Sequence, residues 1–203
     1  MPVTLTNIAH LHPTGRNLVL NWFEKAWLLK NCQDKDCFEP FIYCYISFNS
    51  WAACVTGEDK DWRMIREICN DDTCKSIYQK AIQDPFVLEI LSQFQSLWPI
   101  FKAQEIRRSQ IPHLHSSIRE QVIRHYFKFE IQEYTPKDPQ NPVLIGHEIP
   151  LIWENTLKAI YQVRCNLFHG DKCMNSDDDQ RSVSAAFRAF IHIFKSLIDN
   201  SYK

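Results

Sequence analysis

The chain has 203 residues, 45% of them hydrophobic, and its 23 Lys and Arg against 24 Asp and Glu leave a net charge of -1. This length and apolar content suit one sizeable core and exclude a disordered chain, while the balanced charge means that any nucleic acid must be held by a local basic patch. The longest apolar stretches, such as Phe41 to Ile46, fall far short of the roughly 20 residues of a membrane span, and Met1 to Pro13 has neither the basic start nor the apolar run of an export signal.

Asn17 to Lys30 places Leu18, Trp22, Ala26 and Leu29 at helical spacing, with Asn31 as a stop. Glu39 to Val55 opens with Pro in the first turn and continues as the stripe Phe41, Tyr45, Phe48, Ala52 and Val55; its other side is also apolar, which predicts a central helix. Asp61 to Asn70, Asp72 to Gln83 and Asp84 to Trp98 each begin with an acidic residue and predict shorter helices. His115 to Phe129 reads as a helix with Ile118, Val122, Ile123 and Tyr126 inside. Four prolines between Thr135 and Pro150 then exclude helix, and residues 130–150 read as a Pro-rich loop. Leu151 to His169 follows, with Trp153, Leu157, Ile160, Tyr161 and Phe168 as its stripe and Gly170 as a left-handed stop. Gln180 to Asp199 buries Val183, Phe187, Phe190, Phe194 and Leu197, and the acids Asp177 to Asp179 lie at its positive end. The four glycines form no Asn-Gly or Asp-Gly pair, which speaks against hairpins. The prediction is an all-α helical bundle in a single domain over residues 1–203, with residues 1–14 as an N-terminal extension.

The segment Tyr161-Gln-Val-Arg164-Cys-Asn-Leu-Phe-His169-Gly170 holds an Arg and a His five apart in the penultimate long helix. Arg108 and His113 repeat the spacing but enclose Pro112, which a helix interior does not accept. Cleavage of RNA by its own 2′-hydroxyl needs a group that moves protons near neutral pH and a fixed positive charge for the phosphate oxygens. His169 is the candidate acid or base, Arg164 the candidate phosphate partner, and Asn166 a further donor to phosphate or imidazole. On an ideal helix Arg164 and His169 stand roughly 140° apart. Both reach one phosphate only if the chain unwinds at Gly170 or two copies of the motif meet.

This motif, together with the aromatic run Phe41 to Trp51 that contains Phe48-Asn49, resembles the HEPN family (higher eukaryotes and prokaryotes nucleotide-binding), whose Arg-x4-His signature occupies the penultimate helix of a bundle. Here Cys165 stands directly after the Arg, where many members carry a polar residue, and the amide comes one later. The resemblance implies a homodimer with a composite cleft and a metal-independent endoribonuclease without cofactor, leaving 2′,3′-cyclic phosphate and 5′-hydroxyl ends. It also implies a toxin-antitoxin or phage-defence setting, with an antitoxin or activator protein as partner. Asn49 is the candidate supporting residue beneath the site.

Between Ile106 and Lys128 five basic residues, Arg107, Arg108, Arg119, Arg124 and Lys128, accompany one acid, Glu120, and form the candidate RNA-contacting surface, although such a run equally suits a solvated helix face. Eight cysteines without an export signal read as reduced thiols in a cytoplasmic, non-membrane protein. Cys165-x3-His169-x3-Cys173 leaves zinc open but lacks a fourth ligand, and Cys32/Cys37 and Cys69/Cys74 are five apart, wider than a zinc knuckle. Two alternatives stand beside the enzyme: a helical dimer that binds RNA or protein without turnover, and a bland reading in which Arg164 is a surface cation and His169 complements a helix end.

Overall fold

The computed structural model describes residues 11–102, 119–128, 135–136, 144–170 and 176–200, with the backbone alone for residues 119, 125–128 and 135–136. Helix α1 (Pro13–Leu28) starts earlier than its apolar spacing suggests, because Pro13 suits a first turn and the His12 ring accepts from the Thr14 N–H. Its buried face is Val19, Phe23 and Ala26, so that of the expected Leu18, Trp22, Ala26 and Leu29 only Ala26 is buried. The sequence offers two apolar ladders one residue apart, and the neighbouring helix selects the second. That neighbour is α2 (Phe38–Thr56), which buries the whole predicted stripe and donates from the Ser47 hydroxyl to the Val19 carbonyl across the interface.

Helices α3 (Asp61–Asn70), α4 (Asp72–Ala81) and α5 (Pro85–Gln95) match the three acidic starts. Of those starts Asp84 is a true cap, accepting from the Phe86 N–H at 2.9 Å, whereas α4 is capped one residue before its predicted start, by Asp71, which accepts from the Cys74 N–H at 2.7 Å. Asp61 has a different task, described below. Helix α6 (Arg119–Tyr126) ends three residues before the predicted Phe129 and passes into β1 (Phe127–Lys128), which pairs antiparallel with β2 (Thr135–Pro136). The missed signal is the alternation of Phe127-Lys-Phe-Glu-Ile-Gln, a two-residue period that runs from the end of the stretch read as helical into the one read as a loop.

Part of the Pro-rich segment is packed. A 3-10 turn at Gly146–Glu148 sits against the end of α5, where the buried Gln95 donates to the Ile149 carbonyl at 2.7 Å and its amide oxygen meets His147 Nδ1 at 2.9 Å. Gly146 adopts φ +54°, a conformation that favours glycine. Helix α7 (Trp153–Phe168) follows, its Trp153 indole donating to the Ile68 carbonyl and its Thr156 hydroxyl meeting that of Tyr78 at 2.8 Å. Of its predicted stripe, Trp153, Leu157 and Ile160 are buried, Tyr161 is half-buried and Phe168 is 51% exposed.

Helix α8 (Asp177–Asn200) runs through the centre and packs against α2, α4, α5 and α7. Its predicted stripe is buried throughout. Phe190 and Phe194 meet Phe48 at ring separations of 5.2 and 5.5 Å, and Phe194 also meets Trp51 and Phe23. One cluster of buried side chains joins Leu11 to Ile198. No helix among the described residues is long and apolar enough to cross a membrane.

Candidate functional site

Arg164 is held from three elements. Its guanidinium pairs with Asp61, the first residue of α3, at 2.7 Å, and both side chains keep about a fifth of their surface exposed. Asp61 carries its charge at the positive end of α3, which favours a carboxylate there. The guanidinium carbon lies 5.0 Å from the Tyr45 ring centroid on α2 and 4.6 Å from that of Phe168, one turn on along α7. Burial works against the Arg164 charge, but Tyr45 and Asp61 outweigh it, and its pKa rises above its ordinary value. Burial pushes the Tyr45 hydroxyl well up. Both the Tyr45 hydroxyl and Arg164 Nε are buried and have no hydrogen-bond partner among the described residues.

His169 closes α7. Its N–H donates to the Cys165 carbonyl at 3.0 Å, and Gly170 follows at φ +72°, the predicted left-handed stop. The helix stays regular through Phe168 and leaves helical geometry only at His169, whose imidazole is exposed and makes no side-chain hydrogen bond to any described residue. Arg164 and His169 are therefore brought within two turns of each other, with the exposed Phe168 ring between them in sequence and packed over the guanidinium.

Asn166 does not join them. It is 4% exposed, its amide N–H donates to the Phe101 carbonyl at 2.8 Å, and its oxygen accepts from Gln162 at 2.9 Å. Two residues on from Arg164 is about 200° around the helix, and that side faces the core. The expected contact of Asn166 with phosphate or imidazole is thus corrected to a buried tie between α7 and the segment after α5. Asn49 is half-buried on α2, one turn beyond Tyr45.

The basic surface is also different in space. Arg124 Nη2 reaches both Glu148 oxygens, at 2.9 and 3.0 Å, and its Nε donates to Glu120 at 3.1 Å. The hydrogen bonds to Glu148 and Glu120 raise the Arg124 pKa, and the Arg124 hydrogen bond lowers that of Glu148. A basic run with one acid in sequence thus acquires a second acid from the 3-10 turn, and Arg124 is committed to carboxylates instead of standing open. Arg119 and Lys128 lie on α6 and β1, described by backbone alone, and Arg107 and Arg108 lie outside the described residues.

Cys165 is half-buried beside Tyr161, whose hydroxyl is pushed up by burial and then by Cys165. Cys173, the third member of the Cys-His-Cys spacing, lies outside the described residues, and among those described no three His, Cys, Asp or Glu side chains gather as metal ligands. No family model matches this chain, and neither a curated protein nor a solved structure matches it. The site therefore speaks through its own chemistry: a fixed cation under aromatic rings, balanced by one carboxylate, and an open imidazole at the helix end.

Sequence reasoning missed Asp61, Tyr45 and Phe168 as partners of Arg164. A half-buried Arg demands a carboxylate. Neither the burial of Arg164 nor the carboxylate that meets it is legible along the chain, because Asp61 lies 103 positions away. Also missed was Trp62, 50% exposed on α3 next to Asp61, with the guanidinium carbons of Arg63 and Arg66 at 5.2 and 5.4 Å from its ring.

Proposed function

We propose that the chain is a HEPN-like, metal-independent endoribonuclease of the cytoplasm, acting as a homodimer in a toxin-antitoxin or phage-defence setting. The observation that carries this reading is the exposed imidazole of His169 at the end of α7, which makes no hydrogen bond to any described residue and lies within two turns of the permanently charged Arg164. In the proposed reaction the imidazole takes the proton of a ribose 2′-hydroxyl as its oxygen attacks the adjacent phosphorus. The P–O5′ bond breaks, and the leaving oxygen takes up a proton. The products are a 2′,3′-cyclic phosphate and a 5′-hydroxyl. Arg164 meets the charge that builds on the phosphate oxygens, which requires a phosphate to displace the Asp61 carboxylate. Trp62 with its two arginines supplies a face on which an unpaired base can stack.

The test is incubation of the purified chain with mixed labelled RNAs in excess EDTA, beside His169→Ala, followed by analysis of the fragment ends. The expected result is cutting that survives chelation, leaves cyclic-phosphate ends and falls by about 100-fold or more in the variant. Cutting unchanged in His169→Ala would remove His169 from the chemistry. The Arg164–Asp61 ion pair specifically favours a second reading, RNA or protein binding without turnover, since an Arg already neutralised by a carboxylate is a weaker catalyst. A folded protein that binds RNA and leaves it intact supports that reading.

A further inference from the structure

The sequence contains two cysteine pairs at the same spacing, and the fold assembles one of them. Cys32 follows the end of α1, Cys37 precedes α2, and the 3-10 turn Asp34–Asp36 folds the chain so that the two Sγ atoms lie 3.1 Å apart. Cys69 and Cys74 make no such sulfur contact; the Cys69 thiol turns towards the Glu154 carbonyl. Within the assembled pair the two sulfurs are not equivalent. Cys37 is fully buried and its thiol donates to the Gln33 carbonyl at 3.3 Å, whereas Cys32 is only half-buried. Bringing the sulfurs to bonding distance takes an approach of about 1 Å.

The surrounding contacts hold this arrangement. Asp34, inside the loop between the cysteines, accepts from the Ser184 hydroxyl at 2.8 Å and pairs with Arg188 at 2.7 Å, both on α8. Arg188 also donates to the Cys32 carbonyl at 3.3 Å. The loop is thus clamped on the central helix with its two thiols facing each other.

We infer that Cys32 and Cys37 form a peroxide-responsive dithiol that closes to an intramolecular disulfide and ties the end of α1 to the start of α2. The more accessible Cys32 sulfur, as thiolate, attacks one peroxide oxygen; the O–O bond breaks, giving Cys32 sulfenic acid and, with one proton, water. The Cys37 sulfur, giving up its proton as it attacks, then forms the S–S bond and expels the sulfenic oxygen as a second water. Overall two thiols and one hydrogen peroxide give one disulfide and two waters, the two electrons passing from sulfur to peroxide. Burial holds the Cys37 thiol protonated at neutral pH, in keeping with its part as the resolving group.

The experiment treats the reduced full chain with hydrogen peroxide, blocks remaining thiols with N-ethylmaleimide and maps the peptides by mass. The expected result is a loss of about 2 Da, the two thiol hydrogens, with Cys32 joined to Cys37 in the same chain. Cys32→Ser abolishes the link, and in Cys37→Ser a dimedone adduct collects at Cys32. The exposed Cys54 serves as the internal gauge of general oxidation. The proposal is overturned if Cys54 is oxidised while Cys32 and Cys37 alkylate as in untreated protein, or if Cys32 is found joined to any other cysteine. The wild-type map decides this even if Cys37→Ser does not fold.

Discussion

At the scale of single residues, Asp61 and Arg164 form a pair whose partners differ in what they could do apart. Asp61→Asn leaves a half-buried guanidinium without its counter-charge, and the expected cost is about 1–2 kcal/mol in a urea titration, less than for a fully buried pair. If Arg164 serves phosphate, the same variant binds RNA more tightly, because a competing carboxylate has gone; unchanged or weaker binding in a filter assay would count against that role. His192 offers a pH prediction of a different kind. It packs edge-on to Trp27 and Phe86, and burial lowers its pKa below the ordinary value. The unfolded chain therefore binds the proton first, so the contribution of His192 to stability is full above about pH 6.5 and is lost as pH falls from there through its lower folded value. Denaturation midpoints at about pH 7.5 and about pH 5.5 should differ more in the wild type than in His192→Phe.

At the scale of elements, the acidic helix starts look alike in sequence and separate by function. Asp71→Ala should cost about 1 kcal/mol through loss of the bond to the Cys74 N–H. The aromatic residues separate in the same way. Phe190, 1% exposed between α2 and α8, should cost about 3–5 kcal/mol when cut to Ala. Phe168→Ala should change the urea midpoint far less, because half of that ring faces solvent, and should act instead on the environment of Arg164. A large destabilisation by Phe168→Ala would show that its ring belongs to the core. The one-residue shift of the α1 face carries the related lesson that a helix apolar on two adjacent ladders has its buried side chosen by its neighbour.

At the scale of the whole molecule, the open question is whether two copies build one cleft. The α7 helix remains regular between Arg164 and His169, so a single chain offers the imidazole and the guanidinium on different faces. The proposed composite site therefore requires a dimer, and light scattering should give a mass twice the 24.1 kDa of the chain. A monomer that still cuts RNA would refute the composite cleft without touching the role of His169.

The sequence by itself determined the all-α class, the order of the helices, the stripes of α2 and α8, the cap at Asp84 and the stop at Gly170, because these depend on spacing and on interactions within about four residues. It also singled out Arg164 and His169, since their chemistry is intrinsic to the side chains. Only the tertiary structure decided that Asp61, Tyr45 and Phe168 surround Arg164, that Asn166 is spent on the core, and that Glu148 neutralises part of the basic run. The physical reason is that charge pairing and burial are settled by which helix ends meet, and the spacing along one helix carries no information about the end of another.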